Sequence, residues 1–218
     1  MDDLGNLAGT QGHLQDATDY HQRALTIRQR LAPNSLLTAA SFNKLGFDAR
    51  NQGDVKTATE YLQRALDIRQ RLAPDSLAVA TSLSNLGLLA WDRGDLKTAT
   101  ELHQRALSIR EKLTPDSIDV AASLNNLGLV ARDRDDLKAA TDYHKRALAI
   151  RERLAPNSLG VAGSVGNLRL VAEDRGDLKT AGEYFRRALE IQSRQGPDSL
   201  VVAISLDNLG NVAGNQGT

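Results

Sequence analysis

A chain of 218 residues with 41% hydrophobic but only 4% aromatic side chains packs through Ala and Leu rather than through rings, which is the composition of a helical bundle or solenoid. Its 27 basic residues balance 27 acidic ones, so no net field draws in nucleic acid, and the lack of cysteine removes disulfides, thiolate nucleophiles and sulfur-rich zinc sites. Apolar runs are too short to span a bilayer and Met1-Asp2-Asp3 lacks the regions of a signal peptide; a cytoplasmic protein with no membrane partner is expected.

Self-similarity organises the rest. Pro, then Asp or Asn, then Ser recurs at Pro33, Pro74, Pro115, Pro156 and Pro197, each 41 residues after the last. Leu-Gly recurs in the same period at Leu4-Gly5, Leu45-Gly46, Leu86-Gly87, Leu127-Gly128 and Leu209-Gly210, with Leu168-Arg169 in the remaining slot. In chain order the units run over residues 1–34, 35–75, 76–116, 117–157, 158–198 and 199–218, with no linker between them, so 1–218 is expected to be a single array stacked on its neighbours.

The first unit opens with the latter part of a helix, Met1 to Gln11, followed by a second helix with His13 where Asp54, Asp95, Asp136 and Asp177 stand as caps elsewhere. The third unit shows the full pattern. Ser76 caps a first helix in which Val79, Leu83, Leu86, Gly87 and Ala90 recur mainly at spacings of three and four. Gly94 is placed for a left-handed helix end and Asp95 for the next cap; the second helix carries Leu96, Ala99, His103, Ala106, Arg110 and Leu113 on one face until Pro115 forbids continuation. In the fourth unit Asp135 replaces the turn glycine, and aspartate tolerates the left-handed region. The fifth is expected to be the weak link, because Gly160, Gly163 and Gly166 interrupt its first helix and Arg169 occupies the small-residue slot. The sixth is a first helix alone, Ser199 to Asn215.

Leu86-Gly87, Ala90, Gly94-Asp95, Ala99, Ala106 and Pro115 resemble the tetratricopeptide signature of small residues at helix crossings, across essentially the whole chain. The 41-residue unit, with Ser82 to Leu86, Arg105 to Arg110 and Pro115-Asp116, is similar to the longer repeats of kinesin light chains. The resemblance implies an all-α, right-handed superhelical solenoid of antiparallel helix hairpins whose first helices line a concave groove, and it implies no specific ligand.

Candidate chemistry is sparse. His21, His103 and His144 share a column with Leu62 and Phe185, which reads as a half-buried packing position; a metal ladder lacks acidic residues at ligand spacing. Asp135-Asp136 and Asp2-Asp3 sit at turns or the terminus rather than in an apolar pocket, and no glycine loop follows a strand. No enzyme and no cofactor is expected.

The first-helix columns are more informative. One reads Lys44, Asn85, Asn126, Asn167, Asn208, beside Asn43, Ser84, Asn125, Gly166, Asp207. A carboxamide both donates and accepts, so such a ladder suits the backbone of an extended peptide, as tetratricopeptide grooves bind by resemblance; it suits equally well the tethering of neighbouring helices. Phe47, Leu88, Leu129 and Leu170 form an apolar floor, flanked by Arg50, Trp91, Arg132 and Glu173 and by a partly acidic column, Asn51, Asp92, Asp133, Asp174 and Asn215. The mixed signs select neither an acidic nor a basic ligand. The expected function is a non-enzymatic scaffold for a protein or extended peptide. The alternative is a sensor or oligomerisation arm cut from a larger multidomain signalling protein, since the chain begins inside a helix and ends at Gly217-Thr218. Its two incomplete ends are also expected to support head-to-tail self-association.

Overall fold

The computed structural model describes residues 14–195, and among them every regular element is an α-helix. They are α1 Leu14–Leu31, α2 Leu36–Asn51, α3 Val55–Leu72, α4 Leu77–Asp92, α5 Leu96–Leu113, α6 Ile118–Asp133, α7 Leu137–Leu154, α8 Leu159–Asp174 and α9 Leu178–Gln195. His13, the expected helices at either end and Asn208 lie outside the described residues. None of the described helices is long and apolar enough to cross a membrane.

The boundaries follow from capping chemistry. Ser35, Ser76, Ser117 and Ser158 are extended N-caps whose hydroxyls accept from the backbone N–H of Thr38, Val79, Val120 and Val161. Within a hairpin, Gly53, Gly94 and Gly176 take φ of 77°, 74° and 74°, and Asp135 takes 61°, as its position predicts. At the first of these turns Gly53 N–H donates to Arg50 O at 3.0 Å and Asp54 N–H to Ala49 O at 2.9 Å, closing a Schellman motif. The same Asp54 then caps α3 by accepting from Thr57 N–H at 3.0 Å, so one residue ends one helix and starts the next. Asp95, Asp136 and Asp177 repeat this with Thr98, Ala139 and Thr180. Hydrogen bonds from the side chains of Thr57, Thr98 and Thr180, and then from their backbone N–H groups, hold the carboxyls of Asp54, Asp95 and Asp177 below their usual range.

The chain forms two compact units that divide between Leu113 and Thr114. In the first, α2 pairs with α3 and α4 with α5, while α1 packs on α2 and α3 on α4. Its core is a run of Leu and Ala with one aromatic contact: Leu25, Ala39, Phe42, Leu45, Ala65 and Ile68, continuing into Ala58, Leu62, Leu66, Val79, Leu83, Leu86 and Leu89. Tyr61 lies across Phe42 with ring centroids 5.8 Å apart. In the second unit α6 pairs with α7, α8 with α9, and α7 packs on α8 around Leu148, Val161, Val165, Leu168 and Ile191. Two details depart from expectation. On α5 the buried face ends at Leu107 and Arg110, whereas Leu113 is exposed next to Pro115. Leu89, absent from the expected α4 face, is fully in the core.

Candidate functional site

The Leu-Gly column explains the histidines. A methyl group placed on Gly87 would stand 2.8 Å from His103 Cε1, on Gly128 2.5 Å from His144 Cε1, and on Gly46 2.6 Å from Leu62 Cγ. The missing side chain on each first helix is therefore the space into which the second helix inserts its central residue. His103 and His144 are not half-buried, as their column suggests, but wholly enclosed, and neither ring nitrogen of either residue has a partner. Desolvation, reinforced by nearby arginines, pushes both imidazoles down to about 4, so they are neutral packing groups at pH 7. His21 differs: its Nδ1 lies 2.8 Å from Asp48 Oδ2, joining α1 to α2. No cluster of three metal-ligating side chains occurs among the described residues.

On the first helices, the two carboxamide columns meet diagonally. Asn85 Nδ2 donates to Asn43 Oδ1 at 3.1 Å in the first unit, and Asn167 Nδ2 to Asn125 Oδ1 at 2.6 Å in the second, each across 42 residues. The oxygen of Asn43 also accepts from Arg69 Nη1 at 3.3 Å. A guanidinium only donates, so this contact fixes which way the amide points. One donor and one acceptor of each pair are thus spent on tethering consecutive first helices; the Nδ2 of Asn43 and the Oδ1 of Asn85 carry no protein partner, and both residues are half-buried.

Beside them the charged columns pair in the same diagonal sense. Arg50 makes a bidentate contact with Asp92, Nε to Oδ2 at 2.5 Å and Nη2 to Oδ1 at 3.0 Å, and Arg132 grips Asp174 likewise. The mixture of signs seen in sequence is therefore largely self-neutralised. Phe47 is exposed, and Leu88, Leu129, Trp91, Lys44 and Asn126 are half-buried, so the apolar floor is reachable in both units. Ser84 leaves this face: it is buried and accepts from Arg110 Nη1 at 3.0 Å.

Sequence reasoning missed the cations beneath. Arg69 is 7% exposed, and its Nη1 donates to Ser82 Oγ at 2.7 Å and Ala78 O at 3.0 Å as well as to Asn43. Arg151 does the same in the second unit, to Ser164 Oγ at 2.6 Å and Gly160 O at 3.1 Å. All of these acceptors are neutral. Burial lowers both guanidinium pKa values, and among the described residues no carboxylate pairs with either. The signal was present as an Ile-Arg dipeptide at Ile27-Arg28, Ile68-Arg69, Ile109-Arg110 and Ile150-Arg151, in step with Ser41, Ser82, Ser123 and Ser164.

This pairing of a small residue on one helix with an inserted residue on the next, repeated every 41 residues, is the arrangement of helical-hairpin repeats. The tetratricopeptide repeat profile matches at residues 37–112 and 79–153, and a second tetratricopeptide profile matches residues 1–34. The chain belongs to the tetratricopeptide repeat family, in the long-repeat form similar to kinesin light chains. No curated protein matches the sequence. Among solved structures, BtubC (BKLC) from P. vanneervenii superposes with a TM-score of 0.80 at 23% identity, covering 94% of this chain and 84% of that one. The nearly identical TPR-like repeats of a kinesin light chain-type protein from Podosopora anserina give 0.72 at 19%, covering 89% and 94%. A Rap protein complexed with competence and sporulation factor gives 0.76 at 19%, covering 95% of this chain and 62% of that one.

Proposed function

We propose that the protein is a non-enzymatic scaffold that holds an extended segment of a partner protein along its first-helix faces. In the first unit the segment lies over Asn43, Lys44, Phe47, Arg50, Asn85, Leu88 and Trp91; in the second, over Asn125, Asn126, Leu129, Arg132 and Asn167. The observation that carries it is the half-satisfied carboxamide pair. Tethering leaves an amide donor and an amide acceptor free at the surface, which is what the backbone of an extended chain requires. The guanidiniums of buried Arg69 and half-buried Arg151, matched only by neutral acceptors, support segments that bring a carboxylate. The reading is supported by the similar fold of a Rap protein solved in complex with competence and sporulation factor.

The test is a synthetic peptide array probed with the whole protein. The expected result is capture of acidic, extended sequences, weakened roughly tenfold by Asn85→Ala or Asn167→Ala, or about 1.4 kcal/mol. Amide-exchange protection of α3 and α5 by a captured peptide, with α2 and α4 unchanged, would sink the assignment.

A further inference from the structure

Large apolar side chains left exposed gather at the turns between hairpins. Leu31, 72% exposed, and Leu37, 66% exposed, flank the Pro33-Asn34 turn of the first unit; Leu154 and Leu159, also exposed, flank the Pro156-Asn157 turn of the second. Each of these turns also borders a cavity. In the first unit about 250 Å³ opens beside Pro33 and Asn34, with Phe42 and Ile68 behind it and Arg64, Asp67 and Arg71 around it. In the second, about 280 Å³ opens beside Pro156 and Asn157, with Val161 and Ile191 behind it and Arg187, Glu190 and Arg194 around it. The two sites lie three repeat periods apart in sequence, so the combination belongs to the repeat rather than to one loop.

We propose that the Pro33-Asn34 turn of the first unit is a self-association surface, in which Leu31 and Leu37 of one copy enter the cavity of a second copy. The argument is self-complementarity. Protruding leucines and the cavity sit side by side on one turn, so a two-fold axis places each copy's leucines at the other's opening and satisfies both at once. Charge follows the same logic. Arg64 has the Phe42 ring at 5.5 Å as its contact, Arg71 Nε donates to the backbone oxygen of Asp67, and among the described residues neither guanidinium pairs with a carboxylate. The Asp67 carboxylate accepts only from the Gln63 amide, at 2.8 Å. Cation and carboxylate thus stand on the same rim without pairing, and a second copy supplies the opposite sign to each. In the second unit Glu152 and Glu190 already pair with Arg187 and Arg194, so that turn offers less to a partner. The surface combines α1, α3 and the start of α2 around the turn, and it uses none of the residues assigned to the first-helix face.

One turn buries less than the roughly 1,200 Å² of a standard stable interface, so the association is weak and concentration-dependent. Sedimentation equilibrium of the whole chain from roughly 10 µM to about 1 mM covers the range of such contacts. The weight-average mass is expected to rise from 23.6 kDa and level off at twice that value. Leu31→Glu with Leu37→Glu should weaken the dimer at least tenfold. Both side chains are exposed, so folding should be unchanged by far-UV circular dichroism. Arg64→Glu alone should weaken it as well, and mixing Arg64→Glu with Asp67→Arg protein should restore a heterodimer. A mass that stays at the monomer value throughout overturns the proposal. So does association that the double leucine variant leaves intact, or a mass that climbs past the dimer without levelling.

Discussion

Two hairpins of one design differ at their crossing point. In α4–α5, Gly87 leaves room for His103, and the imidazole is sealed between the helices. In α8–α9 the same two positions hold Arg169 and Phe185. The arginine does not enter the crossing: its guanidinium lies 5.6 Å from the Phe185 ring centroid, and Nη1 donates to Glu173 Oε1 at 2.5 Å. Phe185 is consequently half-buried, where His103, His144 and Leu62 are fully buried. The close approach of two helices is thus set by a single pair of residues. A crossing that seals its contents also carries their electrostatic cost, and the open crossing escapes it.

The largest expected effect comes from that cost. Neutral His103 and His144, held at about 4 against an ordinary 6.5, favour the folded state fully above pH 6.5, and this stability is lost as pH falls through the window down to 4. The difference is worth about 3 kcal/mol for each residue. Urea unfolding between pH 7 and pH 4 should show a loss approaching the sum of the two, and His103→Leu with His144→Leu should flatten the profile. The α8–α9 hairpin has no histidine and should keep its local exchange protection across this range. A profile that the double variant leaves unchanged would break the comparison.

A smaller effect tests the space directly. Gly87→Ala forces a methyl group to within 2.8 Å of a ring that has nowhere to move, and overpacking of this kind costs about 2 kcal/mol. A thermal melt should show the loss. No change in stability would mean that the histidine is not held in place by the crossing.

Much of this was legible in the sequence, and for local reasons. The period, the Ser and Asp caps, the left-handed Asp135 and the hairpin pairing all depend on residues a few positions apart, so pattern alone locates them. Across repeats the sequence is ambiguous. Arg50 and Asp92 read as a mixture of signs because nothing in the column order says that they meet diagonally, 42 residues apart, and cancel. Asn43 and Asn85 read equally well as ligand contacts or as tethers, and they form a tether that leaves one donor and one acceptor free. The histidine column by itself reads as half-buried, because a single column says nothing of the residue that faces it. Gly87 with His103, Gly46 with Leu62 and Arg169 with Phe185 vary as pairs, and it is the pair that determines depth.

The smallest effect concerns the same substitution with the opposite sign. Gly163 and Gly166 lie within α8, yet a methyl group on either would meet nothing within 4 Å. There the glycines provide no room for a neighbour and only weaken the helix, through the extra backbone freedom they retain when unfolded. Gly163→Ala and Gly166→Ala should therefore each stabilise by about 1 kcal/mol, the reverse of Gly87→Ala in α4. Because stability in a repeat array is local, the gain should be concentrated in the exchange protection of residues 160–172, which in the unsubstituted protein should be lower than that of the matching residues 119–131 in α6. If residues 160–172 are already as protected as 119–131, the loose crossing at Arg169 and the glycines of α8 do not make this hairpin a weak point. If the alanines destabilise, the space beside them is occupied in solution, and Gly166, which stands in the column of Asn43 and Asn125, faces a neighbour rather than an open binding face.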